Sequence, residues 1–247
     1  LWHSIRFNVF REIRSGLPGG GVIDTSFYQI IPNTNLLLAY SFHSSSTSGT
    51  NIGNVASGTV VYDASINNIS NLSTTNVLYG DRCLTNALLT INKTITFTTN
   101  GLTFSWWVWS TNPKITGQFG FAPVGYNDTN SIFCYGGANN IMQYWDTVNW
   151  TPGISIPNIG NSSWHHLVIT ITYGTMTAST CKVYYDNSIV LTNACYYPPS
   201  QSYTINIWNA LKGSKIFPST ANYTANIRVY NRVITLDEIN TLFVNKC

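Results

Sequence analysis

Apolar and polar positions in SSWHHLVITIT, residues 162 to 172, alternate with a period of two rather than at helical spacing. From Trp164 to Tyr173 the pattern predicts a strand. His165, Leu167, Ile169 and Ile171 fall on one face, and Trp164, His166, Val168, Thr170 and Thr172 on the other. Neighbouring strand residues point to opposite faces, so the two adjacent imidazoles cannot hold one ion between them. A His-x-His spacing would be needed for that. His165 and His166 are therefore expected to be structural, each hydrogen-bonded near a sheet edge.

Similar short β-type runs recur from Leu36 onward at roughly ten-residue spacing, with Gly, Asn and Asp between them. They include LLLAYSF, TVVYD, LLTI, ITFTT, LTFSWWVW, GQFGF, SIFCYGG, NIMQYW, HLVITIT, CKVYYD, SIVLTN, YTINIW and NIRVYNRV. This rhythm belongs to a β-sandwich or barrel. One helix is predicted, TLDEINTLF, where Thr235 and Glu238 form a capping box and Ile239, Leu242 and Phe243 make an apolar side. Residues 1 to 34 read differently. Trp2, Phe7 and Phe10 are interleaved with Arg6, Arg11 and Arg14, and a Pro/Gly hinge follows at Pro18 to Gly21. The apolar spacing there fits a strand as well as a helix. Such a segment needs a cover, either its own domain or a neighbouring subunit, and is expected to be an assembly arm.

Composition narrows the partners. Only 9% of the 247 residues are charged while 44% are hydrophobic, against about a quarter charged in an ordinary soluble domain. The polar surface must come from Asn, Ser and Thr, which suits an extracellular surface or a packed assembly such as a virion. A net charge of +3 without a basic run gives nucleic acid no footprint. No apolar stretch approaches the ~20 residues of a membrane span. No secretory signal pattern is visible at the start, where Leu1 rather than Met opens the chain. Asn-x-Ser/Thr sequons stand at Asn68, Asn71, Asn92, Asn127, Asn149, Asn161 and Asn222. A chain this rich in those residues acquires about that many by chance, so they do not argue for secretion.

The five cysteines, Cys83, Cys134, Cys181, Cys195 and Cys247, form no Cys-x-x-Cys pair and no cluster with histidine, which argues against zinc. An odd number leaves at least one thiol free or bonded to another chain. CKVYYDNSIVLTNAC predicts a hairpin turning at Asp186-Asn187. With a two-residue turn, Cys181 faces Thr192 while Cys195 points to the opposite side of the sheet, so these two are not expected to pair. The redox compartment stays open.

Six of these runs, taken in order, resemble the laminin-G-like and pentraxin-like branch of the concanavalin A-like lectin/glucanase superfamily. LLLAYSF is similar to its opening strand and VVYDASINN to the loop that follows. LTFSWWVWS resembles the strand carrying the family's tryptophan, here Trp107. NSSWHHLVITIT resembles the family's Trp-His-His strand, CKVYYDNSIVLTN its next hairpin, and IRVYNRVITLDEINTLF its closing strand and helix. The resemblance implies an all-β fold: a two-sheet antiparallel jelly-roll sandwich over residues 35–247, with an N-terminal arm (1–34) and one short C-terminal helix. It also implies that Trp164, His165 and His166 mark an inner jelly-roll strand rather than an active site. The chain departs from the pattern in three places. The loop glycine is Ile66, the hairpin glycine is Asn187, and the acidic residue opening the closing strand is Ala225. Calcium in relatives uses acids from these regions. Asp63 remains as a metal ligand, too few carboxylates for a strong site.

Three functional classes compete. Glycoside hydrolysis needs two carboxyl groups flanking the bond. The only glutamates are Glu12 in the arm and Glu238 in the helix cap, and no Gly-x-Ser-x-Gly is present. An enzyme is not expected. A glycan- or protein-recognition module would combine aromatic faces with Asn and Asp. The richest stretch, residues 124 to 153, supplies Tyr126, Asn127, Asp128, Tyr144, Trp145, Asp146, Asn149 and Trp150 as its candidate site. A structural subunit of a virion or surface layer would use the same fold as a brick.

Overall fold

A computed structural model describes residues 34–42, 44, 47–49, 51–54, 56, 64–66, 69–78, 81–85, 89–91, 95–96, 98–111, 118–123, 132–137, 141–143, 154–155, 161–195, 197, 202–207 and 222–246. The strands in chain order begin with β1 (Leu36–Tyr40), β2 (Thr47–Ser48), β3 (Asn51–Ile52), β4 (Ala64–Ile66), β5 (Leu72–Ser73) and β6 (Cys83–Thr85). Next come β7 (Leu89–Ile91), β8 (Ile95–Thr96), β9 (Leu102–Ser110), β10 (Gln118–Pro123), β11 (Ile132–Gly137) and β12 (Ile141–Gln143). The last are β13 (Ile154–Ser155), β14 (Trp164–Thr172), β15 (Ser179–Tyr185), β16 (Ser188–Cys195), β17 (Ser202–Ile207) and β18 (Asn222–Tyr230), followed by helix α1 (Leu236–Val244).

They form the expected two-sheet antiparallel jelly-roll sandwich. One sheet runs β16-β15-β14-β9-β18-β6-β5, with β1 also paired to β18; we call it the front sheet. The back sheet runs β13-β12-β11-β10-β17-β7-β4-β3-β2, with β8 also paired to β17. Period-two alternation on β9 and β14 sends Leu102, Phe104, Trp106, Val108, Leu167, Ile169 and Ile171 inward. There they meet Ile52, Ala64, Ile66 and Leu89 of the back sheet in one dry cluster. Burial of these side chains is the main force holding the sheets together.

The outer face of the front sheet is covered by α1. Val168, Tyr184 and Tyr230 on the strands pack against Ile234, Ile239 and Leu242. The helix starts where the sequence predicts. Thr235 Oγ1 accepts from the Glu238 backbone N–H at 3.2 Å, and the Glu238 carboxylate accepts from Thr235 N–H at 2.8 Å. Arg232 grips the same carboxylate with both terminal nitrogens, at 2.7 and 2.6 Å. That bidentate bond holds the glutamate below the usual carboxylate range, with the cap bonds acting in the same direction against burial.

Two sequence expectations need correction. First, β14 is the inner strand that the resemblance implies, between β15 and β9, so its histidines do not lie near a sheet edge. Second, the β15–β16 hairpin turns on Asp186 and Asn187 as expected, both at positive φ (46° and 67°), but its register slips beyond the turn. Tyr184 pairs with Ile189 and Val183 with Leu191, leaving Val190 as a bulge. The extra residue shifts the rest of β16 by one. Cys181 therefore faces Asn193, Lys182 faces Thr192, and Cys195 points to the same side as Cys181, into the core.

Candidate functional site

The outer face of the front sheet changes character along its length. Under α1, Trp107 stacks on His166, with ring centroids 4.9 Å apart, and on Phe243 of the helix at 5.9 Å. Two positions along from Trp107 and His166, the same face carries three aromatic residues in adjacent register. Trp164 on β14 lies directly opposite Trp109 on β9, which lies directly opposite Tyr223 on β18. All three are half-buried. Trp109 and Tyr223 meet edge to face at 5.1 Å, a geometry that holds both rings in place.

A short loop, residues 74–78, borders this row. Trp164 Nε1 donates to the Asn76 carbonyl at 3.0 Å. The Tyr223 and Thr75 hydroxyls are 3.3 Å apart. Val77 and Leu78 pack in the same cluster as Trp164 and Tyr223. Asn76 itself is left-handed, at φ 52°, a conformation asparagine tolerates better than most residues. The result is an apolar strip edged by hydroxyl and amide groups. Such a surface packs against the C–H face of a sugar ring while its edge bonds hydroxyls.

The histidines occupy two other environments. His166 is fully buried, and its Nε2 lies 2.8 Å from Ser105 Oγ. Burial pushes this imidazole down to about 3, the nearby Arg228 guanidinium pushes the same way, and Asp186 opposes them. Ser and His at that distance have the atoms of a nucleophile–base pair. Both are 0% exposed, so no substrate reaches them. His165 faces the other way. Its Nδ1 lies 2.7 Å from Asp186 Oδ2 and 2.7 Å from the Tyr185 hydroxyl, while Nε2 lies 2.9 Å from Asn161 Oδ1. Asp186 also accepts from the His166 backbone N–H at 2.8 Å. One carboxylate thus ties the hairpin turn to the start of β14. Burial first, and then the Asp186 charge, raise the Tyr185 phenol above its ordinary range.

The sequence-derived site residues Tyr126, Asn127, Asp128, Tyr144, Trp145, Asp146, Asn149 and Trp150 lie outside the described residues, as do Asp63 and the arm residues Trp2, Arg6, Phe7, Phe10, Arg11 and Arg14. Among the described residues, no three His, Cys, Asp or Glu side chains are grouped to hold a metal ion. Nor is any helix there long and apolar enough to cross a membrane. Sequence reasoning missed the aromatic row. Its signal was the shared face parity of Trp107 with Trp109 and of Trp164 with His166, which becomes informative only once β9 and β14 are known to pair.

No protein-family model matches the sequence, and no curated protein does. Solved structures share the fold. The ligand-binding domain of botulinum neurotoxin serotype D, in complex with N-acetylneuraminic acid, superposes with TM-score 0.55 at 9% identity. That match covers 90% of this chain and 53% of that one. Domain 4 of AbnA, an extracellular GH43 arabinanase from Geobacillus stearothermophilus in complex with arabinotriose, gives 0.51 at 15% identity, covering 85% and 99%. A Trypanosoma rangeli sialidase gives 0.54 at 16% identity, covering 86% and 33%. The chain thus spans about half the length of the toxin binding domains and nearly all of the arabinanase domain. At these identities the likeness shows the β-sandwich fold.

Proposed function

We propose that the chain is a non-catalytic carbohydrate-recognition module of the concanavalin A-like type. The observation that carries this reading is the row Trp164–Trp109–Tyr223, three half-buried aromatics in register with a polar border. Its ligand is a saccharide that presents an apolar ring face. Two structural neighbours support the class, since one holds N-acetylneuraminic acid and another arabinotriose. Glu238, one of the chain's two glutamates, is committed to the helix cap and to Arg232, which leaves it unsuited to acid or base work on a glycosidic bond. Tyr126, Asn127, Asp128, Tyr144, Trp145, Asp146, Asn149 and Trp150 are proposed as a second contact region for the same ligand class.

The test is a glycan array probed with the full chain and with Trp109→Ala. Binding of at least one saccharide is expected, weakened tenfold or more by the substitution, or about 1.4 kcal/mol. Binding that Trp109→Ala leaves unchanged removes the row from the site. No binding across the array overturns the reading.

A further inference from the structure

We infer that Cys181 and Cys195 become joined by a disulfide when the protein folds under oxidising conditions. The bulge at Val190 brings both side chains to the same side of the hairpin. Cys181 lies opposite Asn193 and Cys195 opposite Ser179, so the two are diagonal neighbours on adjacent strands. Sheet twist draws one of the two diagonals together. The Cys181 thiol is the first cause, ahead of burial, that pushes the Cys195 thiol up, so the two side chains lie within interaction range across this diagonal. Both are reduced in this structure, 5% and 4% exposed, and belong to the same core cluster. Cys83 is elsewhere, its thiol directed at the carbonyls of Ser73 and Thr75 and pushed up to about 12 by burial.

The oxidant is a small-molecule disulfide such as oxidised glutathione. One cysteine attacks it as thiolate, forming a mixed disulfide and releasing one small thiol. The second cysteine then displaces the other small thiol. Two protein S–H bonds are lost, one S–S bond forms, and the two electrons reside in the two released thiols. The neighbouring Cys181 thiol and then burial hold Cys195 protonated once the core has closed, so exchange occurs while the hairpin forms. Among the described strands β16 ends the front sheet, and the bond would clamp this edge to its neighbour.

The experiment refolds the denatured full chain in a reduced/oxidised glutathione pair, alkylates remaining thiols and digests with trypsin without reduction. Trypsin cuts after Lys182, between the two cysteines, so the bond alone joins the resulting peptides, and fragmentation distinguishes Cys181 from Cys134. A Cys181–Cys195 cross-link is expected. The oxidised chain should melt roughly 6–12 °C above the reduced chain, the effect of closing a loop of roughly 15 residues. Cys181→Ala/Cys195→Ala, treated identically, should lose that difference. Alkylation of both cysteines, or a link from Cys195 to any other cysteine, overturns the inference. So does a melting temperature that oxidation leaves unchanged.

Discussion

Trp107 and Trp109 are the same residue type, two positions apart on one strand, and point to the same face. Trp107 is 3% exposed and stacks on both His166 and the helix ring of Phe243, which also stack on each other at 6.2 Å. Trp109 is half-buried, with Tyr223 at its edge. The difference lies in the cover: Phe243 of α1 stacks on the first, while the ring against the second is Tyr223 of β18. A strand thus supplies identical aromatic surface to two tasks, and the element laid across it decides which part is core and which is platform.

Removing the covered ring should have the largest effect. Trp107→Ala is expected to destabilise the fold by roughly 3–5 kcal/mol, because it opens a cavity beside the stacked His166 and Phe243 rings. Urea unfolding monitored by circular dichroism measures this. A loss below 1 kcal/mol would mean that α1 is not held by this stack.

Acid should attack the covered region next. The folded state holds His166 neutral down to about 3, while the unfolded chain takes up that proton near pH 6.5. Its contribution to stability is complete above pH 6.5 and declines as pH falls toward 3, by on the order of 3 kcal/mol at pH 4. His166→Gln should flatten this part of the stability–pH curve. If the slope between pH 6.5 and 4 survives the substitution, another group is responsible.

The platform ring comes third. Trp109→Ala should cost no more than about 1–2 kcal/mol of stability, in contrast to its effect on glycan binding. A loss equal to that of Trp107→Ala would erase the distinction between the two. The smallest effect belongs to the helix cap: Thr235→Ala should cost about 1 kcal/mol. Thermal melts would register it as a few degrees, and no change would show that the Arg232–Glu238 pair alone fixes the helix start.

Features with local causes were legible in the sequence. Alternation over nine residues exposed β9 and β14, Asp186-Asn187 announced a tight turn, and Thr235 with Glu238 marked the helix start. The two- and three-residue strands β2 to β6 were not read, since such short pieces carry no periodicity and owe their form to the strands beside them. The facing of Cys195 was misread because counting from the turn assumes an uninterrupted ladder, and nothing local at Val190 signals a bulge. The aromatic row escaped for a third reason. Its members come from three strands far apart in sequence, so only pairing assembles it.

Strand β18, described above as a sheet member, also sets the timetable of assembly. On one side it pairs with β9, and on the other with β6 at its beginning and β1 at its end. Three earlier strands therefore wait for a partner that the ribosome delivers only after every other described strand. Joining the first described strand to the last gives this sheet a high contact order and a slow final step. Until residues 222–230 emerge, β9 presents an open edge flanked by tryptophans, and a nascent chain in that state is exposed to aggregation.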